Sequence, residues 1–154
     1  MKKVIFVCSS GGHLSEMLKL KKLFKEYDYL LVTEKTEITE DLANKYNIKY
    51  FKYGPNKNKI KYMGAVIYNI FKSIAILIKF KPKTVVTTGA QVGGIMCFFA
   101  KLFGKKVIYI ESLAKVNGLS VTGKMVYPFA NKFYVQWEDL AQKYKKAEYI
   151  GRLM

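Results

Sequence analysis

The sequence predicts an α/β fold built on a doubly wound parallel sheet. Short runs rich in β-branched and aromatic residues alternate with helical patterns along the whole 154-residue chain. The runs at 85–86 and 107–110 are apolar on both faces, as in a sheet covered on both sides. Two runs end in glycine-containing loops that open helices, and parallel sheets bind ligands at such ends. Together these observations favour one sheet with helices on both faces.

In the first half of the chain, the run Val-Ile-Phe-Val-Cys predicts a strand at 4–8. The periodic apolar residues after its glycines predict a helix at 13–25. A β-rich run predicts a strand at 29–33, a helical pattern follows at 37–46, and a further strand is expected at 48–53. The segment Gly-Pro-Asn-Lys-Asn at 54–58 is typical of a linker.

In the second half, a long apolar pattern predicts a helix at 59–80 that leads to a strand at 84–88. Helices are then expected at 92–103, 120–130 and 139–145, and strands at 106–110, 132–136 and 148–150. The length and the 51% apolar content suit one core, so residues 1–154 are expected to form a single domain.

The positive charge is concentrated in the middle of the chain. The formal net charge is +16, and between Asp41 and Glu111 there are thirteen lysines and no acidic residue. Such a surface suits a polyanion: nucleic acid, anionic lipid or a phosphorylated substrate. Arg152 is the only arginine, whereas the reading of bases depends on arginine. We therefore expect no nucleic-acid partner.

The predicted helix at 59–80 has the composition of a helix that lies on a membrane surface. Lys61, Lys72 and Lys79 fall within about 20° of one another on a helical wheel, which leaves well over half of the circumference apolar. The apolar segment at 62–78 is short for a span and contains Asn69. A helix buried between two layers is the alternative. We expect these residues to contact an anionic membrane: Lys61, Ile67, Phe71, Lys72, Leu77 and Lys79.

The cysteines and the amino terminus indicate a reducing compartment. Cys8 and Cys97 both stand among apolar residues, which is typical of buried thiols. The apolar run at 4–8 is too short for a secretory signal, so a cytoplasmic location is expected. No cluster of metal ligands is present in the sequence, and we expect no metal site.

The loop after the first strand is the clearest candidate site. It reads Ser9-Ser10-Gly11-Gly12-His13, and His13 is the only histidine of the chain. Glycines that end a parallel strand and open a helix leave backbone N–H groups and the positive helix end free for anionic oxygens. The third glycine of the dinucleotide fingerprint is missing. The alternative is a tight turn in which His13 is a first-turn helix residue.

A second loop has the same construction, and a carboxylate follows the next strand. Gly89, Ala90, Gln91 and Gly93 lie after the predicted strand at 84–88, so the two loops should form one phosphate or sugar pocket. The pair Glu111-Ser112 suggests a catalytic or hydroxyl-binding role, or else a loop cap. Motifs of hydrolases and kinases are not found in the sequence.

Taken together, the motifs resemble those of PssD-type bacterial polysaccharide biosynthesis proteins. The resemblance covers essentially the whole chain and rests on Val-Cys-Ser-Ser-Gly-Gly-His-Leu-Ser-Glu at 7–16, Thr-Gly-Ala at 88–90, Glu-Ser at 111–112, and the segments at 134–137 and 149–151. These proteins are relatives of the membrane-anchoring subunit of the eukaryotic split N-acetylglucosaminyltransferase. More distantly, the chain is similar to the amino-terminal half of MurG, which shares the Gly-Gly-His loop.

The resemblance implies the Rossmann-like, acceptor-binding, amino-terminal half of a GT-B glycosyltransferase. A separate donor-binding subunit would hold the UDP-sugar, and this chain would bind no cofactor of its own. Acting together, they would transfer a hexose to an undecaprenyl-pyrophosphate-linked sugar in capsular or exopolysaccharide biosynthesis. The transfer would take place on the cytoplasmic face of the membrane, where this chain would be attached peripherally.

On this interpretation, His13 is the first candidate for the general base on the acceptor hydroxyl, and Glu111 is the second. Phosphate and acceptor contacts are expected from the two glycine loops and Ser112. Contacts with the donor subunit are expected from Gln136, Trp137, Ile150 and Leu153. Two alternatives stay open: a non-catalytic scaffold that recruits the partner to the membrane, and a self-sufficient nucleotide-sugar enzyme.

Overall fold

Seven parallel strands form one sheet in the computed structural model, which describes residues 1–55 and 57–153. In chain order the strands are β1 (Lys3–Val7), β2 (Asp28–Lys35), β3 (Ile48–Lys52), β4 (Thr84–Thr87), β5 (Lys106–Ile110), β6 (Lys132–Val135) and β7 (Ala147–Tyr149). Their order across the sheet is β3-β2-β1-β4-β5-β6-β7. The predicted doubly wound parallel sheet is therefore confirmed. The chain changes direction between β1 and β4, where a crevice opens at the carboxyl ends of the strands.

Helices cover both faces of this sheet. They are α1 (Gly12–Lys19), α2 (Lys21–Phe24), α3 (Lys59–Phe80), α4 (Ala90–Leu102), α5 (Val121–Val126) and α6 (Glu138–Lys143). Alternate residues of β1 serve the two layers, as the twofold periodicity of a strand requires. Phe6 belongs to the core cluster that contains residues of α1 and α2, whereas Ile5 and Val7 belong to the cluster that contains residues of α3, α4, α5 and α6.

Three predicted helices are shorter or different in the structure. The helix expected at 13–25 is interrupted at Leu20, whose N–H bonds to Met17 O. The helix expected at 37–46 is only a 3₁₀ turn over Glu40–Asn44, because the Thr39 hydroxyl bonds Glu34 O at 2.7 Å and competes with regular helix formation. The helix expected at 120–130 ends at Val126, shortly before Pro128. The predicted linker at 54–58 includes Asn56, which lies outside the described residues.

Helix α3 has the predicted bounds and closes one edge of the sheet. Its buried Asn69 accepts a hydrogen bond from Lys52 N at 2.8 Å and donates one to Lys52 O at 2.9 Å. The amide thus replaces the missing neighbour of the edge strand β3. Leu77 lies on the face of α3 that packs on the sheet and is buried in the core. The predicted contact of Leu77 with a membrane is therefore wrong.

The opposite face of α3 is apolar and exposed. Among the described residues, α3 is the one helix long and apolar enough to cross a membrane, and 22% of its most apolar window is buried. We call the exposed part the apolar stripe; it consists of Ile60, Met63, Ile67, Phe71 and Ile78. Since the other face is packed against the sheet, α3 suits contact with a membrane surface better than insertion across it.

Both cysteines are free and buried, as expected. Burial raises the pKa of the Cys8 thiol to about 12. Neither the geometry nor the electrostatics therefore favours a nucleophilic thiolate beside the crevice.

Candidate functional site

Two helices begin at the crevice between β1 and β4. The residue before α1 is Gly11, with φ of 81°, and the residue before α4 is Gly89, with φ of 109°. This left-handed backbone is readily available to glycine alone. No side chain caps either helix, so backbone N–H groups of both first turns lie at the edge of the crevice. The arrangement suits phosphate oxygens, as the sequence predicted for both loops.

His13 and Thr88 join the two loops through a reciprocal pair of hydrogen bonds. The His13 Nδ1 lies 2.8 Å from Thr88 O, and the Thr88 hydroxyl donates to His13 O at 2.7 Å. Because a carbonyl oxygen only accepts, Nδ1 must carry the hydrogen. In the neutral ring, the Nε2 lone pair is then left for a substrate proton. The geometry therefore suits the predicted role of His13 as a base.

The second loop is closely fitted around the imidazole. A side chain at Gly89 would place its Cβ 2.9 Å from the Tyr109 hydroxyl and 3.2 Å from His13 Cε1. The next residue, Ala90, has φ of 65°, which is uncommon for a residue with a Cβ. The neighbouring Gln91 is exposed. Strain of this kind often marks functional loops, because the surrounding structure must maintain it.

Glu34 is a site residue that the sequence analysis missed. It lies near the carboxyl end of β2, and its Oε2 accepts bonds from Ser10 N at 3.3 Å and Ser10 Oγ at 3.4 Å. Burial raises the pKa of the Glu34 carboxyl, while the bonds from Ser10 and the charge of His13 lower it. The available signal was a carboxylate near the carboxyl end of a largely apolar strand, and the same kind of signal identified Glu111 as a candidate.

This contact corrects the role expected of Ser10. Its N–H already bonds Glu34, so it is not free for a phosphate in this conformation. The Ser9 hydroxyl donates to the neighbouring Ser10 O at 3.4 Å. Gly12 is exposed, and a Cβ there would meet nothing within 4 Å. The open part of the first loop is therefore its end, at Gly11 and Gly12.

Gly93 also has a different role from the one predicted. It is buried in α4, and a Cβ at this position would collide with the Thr87 hydroxyl. The glycine lets the helix approach the sheet closely, which is a packing role. Direct contact of Gly93 with a phosphate is not compatible with this position.

Glu111 holds the loop between β5 and α5. Its side chain is 0% exposed, Oε1 accepts from Ser112 N at 2.9 Å, and Oε2 accepts from Ser120 N at 2.9 Å and Ser120 Oγ at 3.0 Å. A Cβ at Gly123 would collide with the same carboxylate. With both oxygens occupied and buried, the geometry favours the loop-cap alternative over the catalytic one.

Ser112 is likewise engaged within the chain. Its hydroxyl donates to Glu16 Oε1 at 3.0 Å, and Leu113 N donates to the same oxygen at 3.0 Å. Glu16 therefore anchors the loop after β5 to α1, and the hydroxyl of Ser112 is not free to bind an acceptor in this conformation. Glu16 is the last residue of the motif at 7–16, but no role was predicted for it.

We expect Glu111→Ala to lower the free energy of unfolding by about 2 to 4 kcal/mol, because two backbone donors in a partly buried loop lose their acceptor. Denaturant unfolding measures the change. The exposed Glu26→Ala is the control and should alter stability by less than about 0.5 kcal/mol. Unchanged stability together with abolished turnover in the Glu111→Ala protein would instead return Glu111 to the role of base.

Most of the residues expected to contact a partner instead make contacts within the chain. Gln136 is 1% exposed; its Nε2 donates to Glu111 O at 3.0 Å, and its Oε1 accepts from Leu153 N at 2.7 Å. The Trp137 indole donates to Leu113 O at 2.7 Å, and the Arg152 guanidinium lies 4.2 Å from its ring. Partner contacts by Gln136 and Trp137 are thus not supported, since both side chains, directly after β6, contact the carboxyl-terminal tail at Arg152 and Leu153.

The rest of the tail is mixed in character. Leu153 packs partly buried against the core, whereas Ile150 is 42% exposed. Removal of residues 150–154 would therefore disturb internal contacts as well as any interface; residue 154 lies outside the described residues. Ile150 is the member of the predicted set whose side chain is open to a partner.

An apolar groove of about 940 Å³ lies beside the crevice, between α3, α4 and α5. Its lining includes Val66 and Ile70 of α3, Phe98 of α4, and Met125 of α5, which is 68% exposed. Exposed apolar surface on this scale is typical of a contact with lipid or protein. The groove and the apolar stripe both belong to α3 and form a continuous apolar region.

The lysines predicted for membrane contact flank this region. Lys61 and Lys79 are exposed, and Lys72 is half-buried, with its Nζ 3.1 Å from the Tyr68 hydroxyl. Among the residues that the structure describes, no group of three metal-ligating side chains occurs.

Comparison with known proteins supports the resemblance found in the motifs. A family described as "Oligosaccharide biosynthesis protein Alg14 like" matches residues 4–153. The "UDP-N-acetylglucosamine transferase subunit ALG14" of Yarrowia lipolytica is 32% identical over 99% of this chain and 81% of the relative. MurG of Acinetobacter baumannii superposes with a TM-score of 0.75 at 17% identity, over 91% of this chain and 43% of MurG.

The fold is shared with a second class of protein. A UDP-N-acetylglucosamine 2-epimerase from Rickettsia bellii superposes with a TM-score of 0.77 at 15% identity, over the whole of this chain. The chain spans less than half of each of these two structures, 43% of MurG and 46% of the epimerase. At these identities the likeness shows the fold, the Rossmann-like half of a GT-B-type structure, and the function has to be argued from the site.

Proposed function

The chain belongs to the Alg14-like family of oligosaccharide biosynthesis proteins, and from this premise we propose that it is the acceptor-binding subunit of a two-component UDP-sugar glycosyltransferase. The observation that carries the proposal is the His13–Thr88 pair at the switch point, which leaves an imidazole nitrogen free beside two helix N-termini. The relative from Yarrowia lipolytica is named as a subunit of a UDP-N-acetylglucosamine transferase. A UDP-sugar held by a partner subunit agrees with that name.

In the proposed reaction, His13 takes the proton of the acceptor hydroxyl. The hydroxyl oxygen attacks the anomeric carbon of the sugar, the carbon–oxygen bond to UDP breaks, and the proton moves to Nε2. The Thr88 carbonyl, 2.8 Å from Nδ1, and the nearby Glu34 carboxylate stabilise the resulting imidazolium. UDP leaves with the electron pair of the broken bond, so no further reactant is needed.

The acceptor proposed is a sugar on a polyprenyl pyrophosphate. The amide groups that begin α1 and α4 offer donors for its phosphate oxygens, next to the base. The apolar groove and the apolar stripe lie on the same side of the molecule and suit a lipid-borne substrate. An undecaprenyl carrier on the cytoplasmic face, in capsular or exopolysaccharide synthesis, remains our proposal from the motif resemblance.

The two alternatives make different demands on the site. A scaffold that only recruits the partner to the membrane would need the membrane face but not an oriented imidazole. A self-sufficient enzyme would turn over UDP-sugar without a partner. The test of the proposed function is a transfer assay on the purified chain with a lipid-linked acceptor, in the presence and absence of the donor-binding subunit.

We expect the chain to bind anionic vesicles in a salt-sensitive way through α3. Replacing Lys61, Lys72 and Lys79 by glutamine should weaken sedimentation with such vesicles by about 100-fold, since each lysine near the surface contributes about 1 kcal/mol. A triple glutamine variant of exposed lysines in and directly after α2 (Lys21, Lys22 and Lys25) changes the charge equally and should bind nearly as well as wild type. Equal binding of all three proteins to neutral and anionic vesicles would refute the electrostatic contact.

A further inference from the structure

A second cleft lies at the β3 edge of the sheet, away from the apolar groove. It has a volume of about 510 Å³ and opens between the carboxyl ends of β2 and β3 and the middle of α3. We call it the basic cleft; its lining consists of Lys35, Tyr50, Phe51, Lys52, Tyr53, Tyr68 and Lys72. It contains three lysines and three tyrosines but no carboxylate.

Two of these lysines are forced together by the register of the sheet. Lys35 is paired with Lys52 at the ends of the parallel strands β2 and β3. Backbones of neighbouring strands lie about 4.8 Å apart, and residues in register project to the same side. Two like charges at such positions repel each other. The arrangement is relieved when an anion is placed between them.

The charges of the cleft are only partly compensated. Lys35 Nζ lies 3.0 Å from Glu40 Oε1, in a pair whose side chains are 57% and 60% exposed and which is therefore weak. In the described part of the chain, Lys52 and Lys72 make no salt bridge. Lys72 Nζ instead lies 3.1 Å from the Tyr68 hydroxyl and 5.2 Å from the centre of its ring. Its charge is thus positioned by an aromatic neighbour.

The walls of the cleft are held in place by the fold. The Tyr50 hydroxyl donates to Thr39 O at 2.7 Å, and the backbone of Lys52 is bonded on both sides to the Asn69 amide. Phe51 is 1% exposed and forms part of the core. An ammonium group on a fixed strand end and a second one on α3 therefore face a common space.

We propose that the basic cleft binds the phosphate of an anionic phospholipid headgroup while the apolar stripe lies in the membrane surface. Tyr68, 47% exposed, is adjacent along α3 to Ile67 of the stripe and bonds Lys72 of the cleft. A phosphate in the cleft would therefore have its acyl chains beside the stripe. Tyrosines are favoured at this level of a bilayer, where a ring meets apolar chains and a hydroxyl meets headgroups. This inference rests on the proposed membrane contact.

The test compares two double variants that remove the same charge from the purified full chain. Lys52→Gln with Lys72→Gln changes the cleft, and Lys61→Gln with Lys79→Gln changes lysines of α3 that do not line it. Binding is measured to phosphatidylcholine vesicles with and without phosphatidylglycerol, and circular dichroism confirms that each variant is folded. We expect the cleft variant to lose at least 10-fold more affinity for phosphatidylglycerol vesicles than the matched variant.

Three other results would overturn the assignment. Equal losses in the two double variants would show that surface charge in general, rather than the cleft, governs binding. Inorganic phosphate or glycerol phosphate can be titrated into the protein while the amide NMR shifts of Lys52 and Tyr68 are monitored. Saturation of the cleft with the same affinity as for phosphatidylglycerol vesicles would identify a soluble ligand instead. Failure of the wild-type chain to bind either vesicle would remove the headgroup site together with the membrane contact of the proposed function, whereas the first two results would leave that contact intact.

Discussion

Replacing His13 by alanine is expected to lower turnover of the two-subunit complex by about 10² to 10⁴-fold, while the fold and partner binding persist. The reason is the orientation of the ring. Thr88 O accepts from Nδ1 at 2.8 Å, so Nε2 is held as the proton acceptor at the switch point. Alanine removes the acceptor and also one of the two bonds between the glycine loops. Turnover should be measured at saturating acceptor, so that a binding defect is not mistaken for a chemical one.

A second substitution separates the base from the loop contact. His13→Asn keeps a side-chain N–H that can reach Thr88 O but has no nitrogen lone pair in the place of Nε2, so it should be as inactive as alanine and closer to wild type in stability. Near-normal turnover of both variants would favour the scaffold alternative. An insoluble His13→Ala protein with a soluble, active His13→Asn protein would show that the residue serves only to hold the loops.

The purified 154-residue chain alone is expected to transfer no sugar, and activity should appear when the donor-binding subunit is added. The chain spans 43% of the MurG structure that it resembles, and its relative from Yarrowia lipolytica is named as a subunit. Within the described residues, the crevice offers an oriented imidazole and two helix N-termini, which suit an acceptor and phosphate oxygens. The measurement is transfer from labelled UDP-sugar to a lipid-linked acceptor, with each subunit alone and with both.

Robust turnover by the isolated chain would overturn the two-component proposal and favour the self-sufficient enzyme. If both subunits together are also inactive with one UDP-sugar, a panel of UDP-hexoses separates a wrong donor from a wrong reaction. Ile150→Glu tests the remaining tail contact, because this side chain is 42% exposed and its replacement leaves Gln136 and Leu153 in place. We expect weaker association of the subunits, measured by co-purification, with little loss of stability.

The parts of the site that could be predicted are those encoded by local pattern. Glycines directly after apolar runs, followed by helical periodicity, placed both crevice loops correctly, because a parallel strand must end in a turn before its helix begins. His13 was found since it lies in such a loop. Leu77 was assigned to the wrong face because the pattern of α3 is apolar on most sides, and the apolar wheel alone does not say which side packs on the sheet.

The sequence by itself determined the succession of strands and helices along the chain, the two glycine loops after β1 and β4, and the excess of positive charge. Each of these depends on residues close together along the chain. Only the tertiary structure decided that His13 bonds Thr88 and that the Glu34 carboxylate accepts a hydrogen bond from Ser10. It also decided that Glu111 and Gln136 form hydrogen bonds within the chain and that Lys35 lies beside Lys52. These pairings join residues from 9 to 75 positions apart. They depend on sheet register and helix packing, for which separate strands carry no local signal.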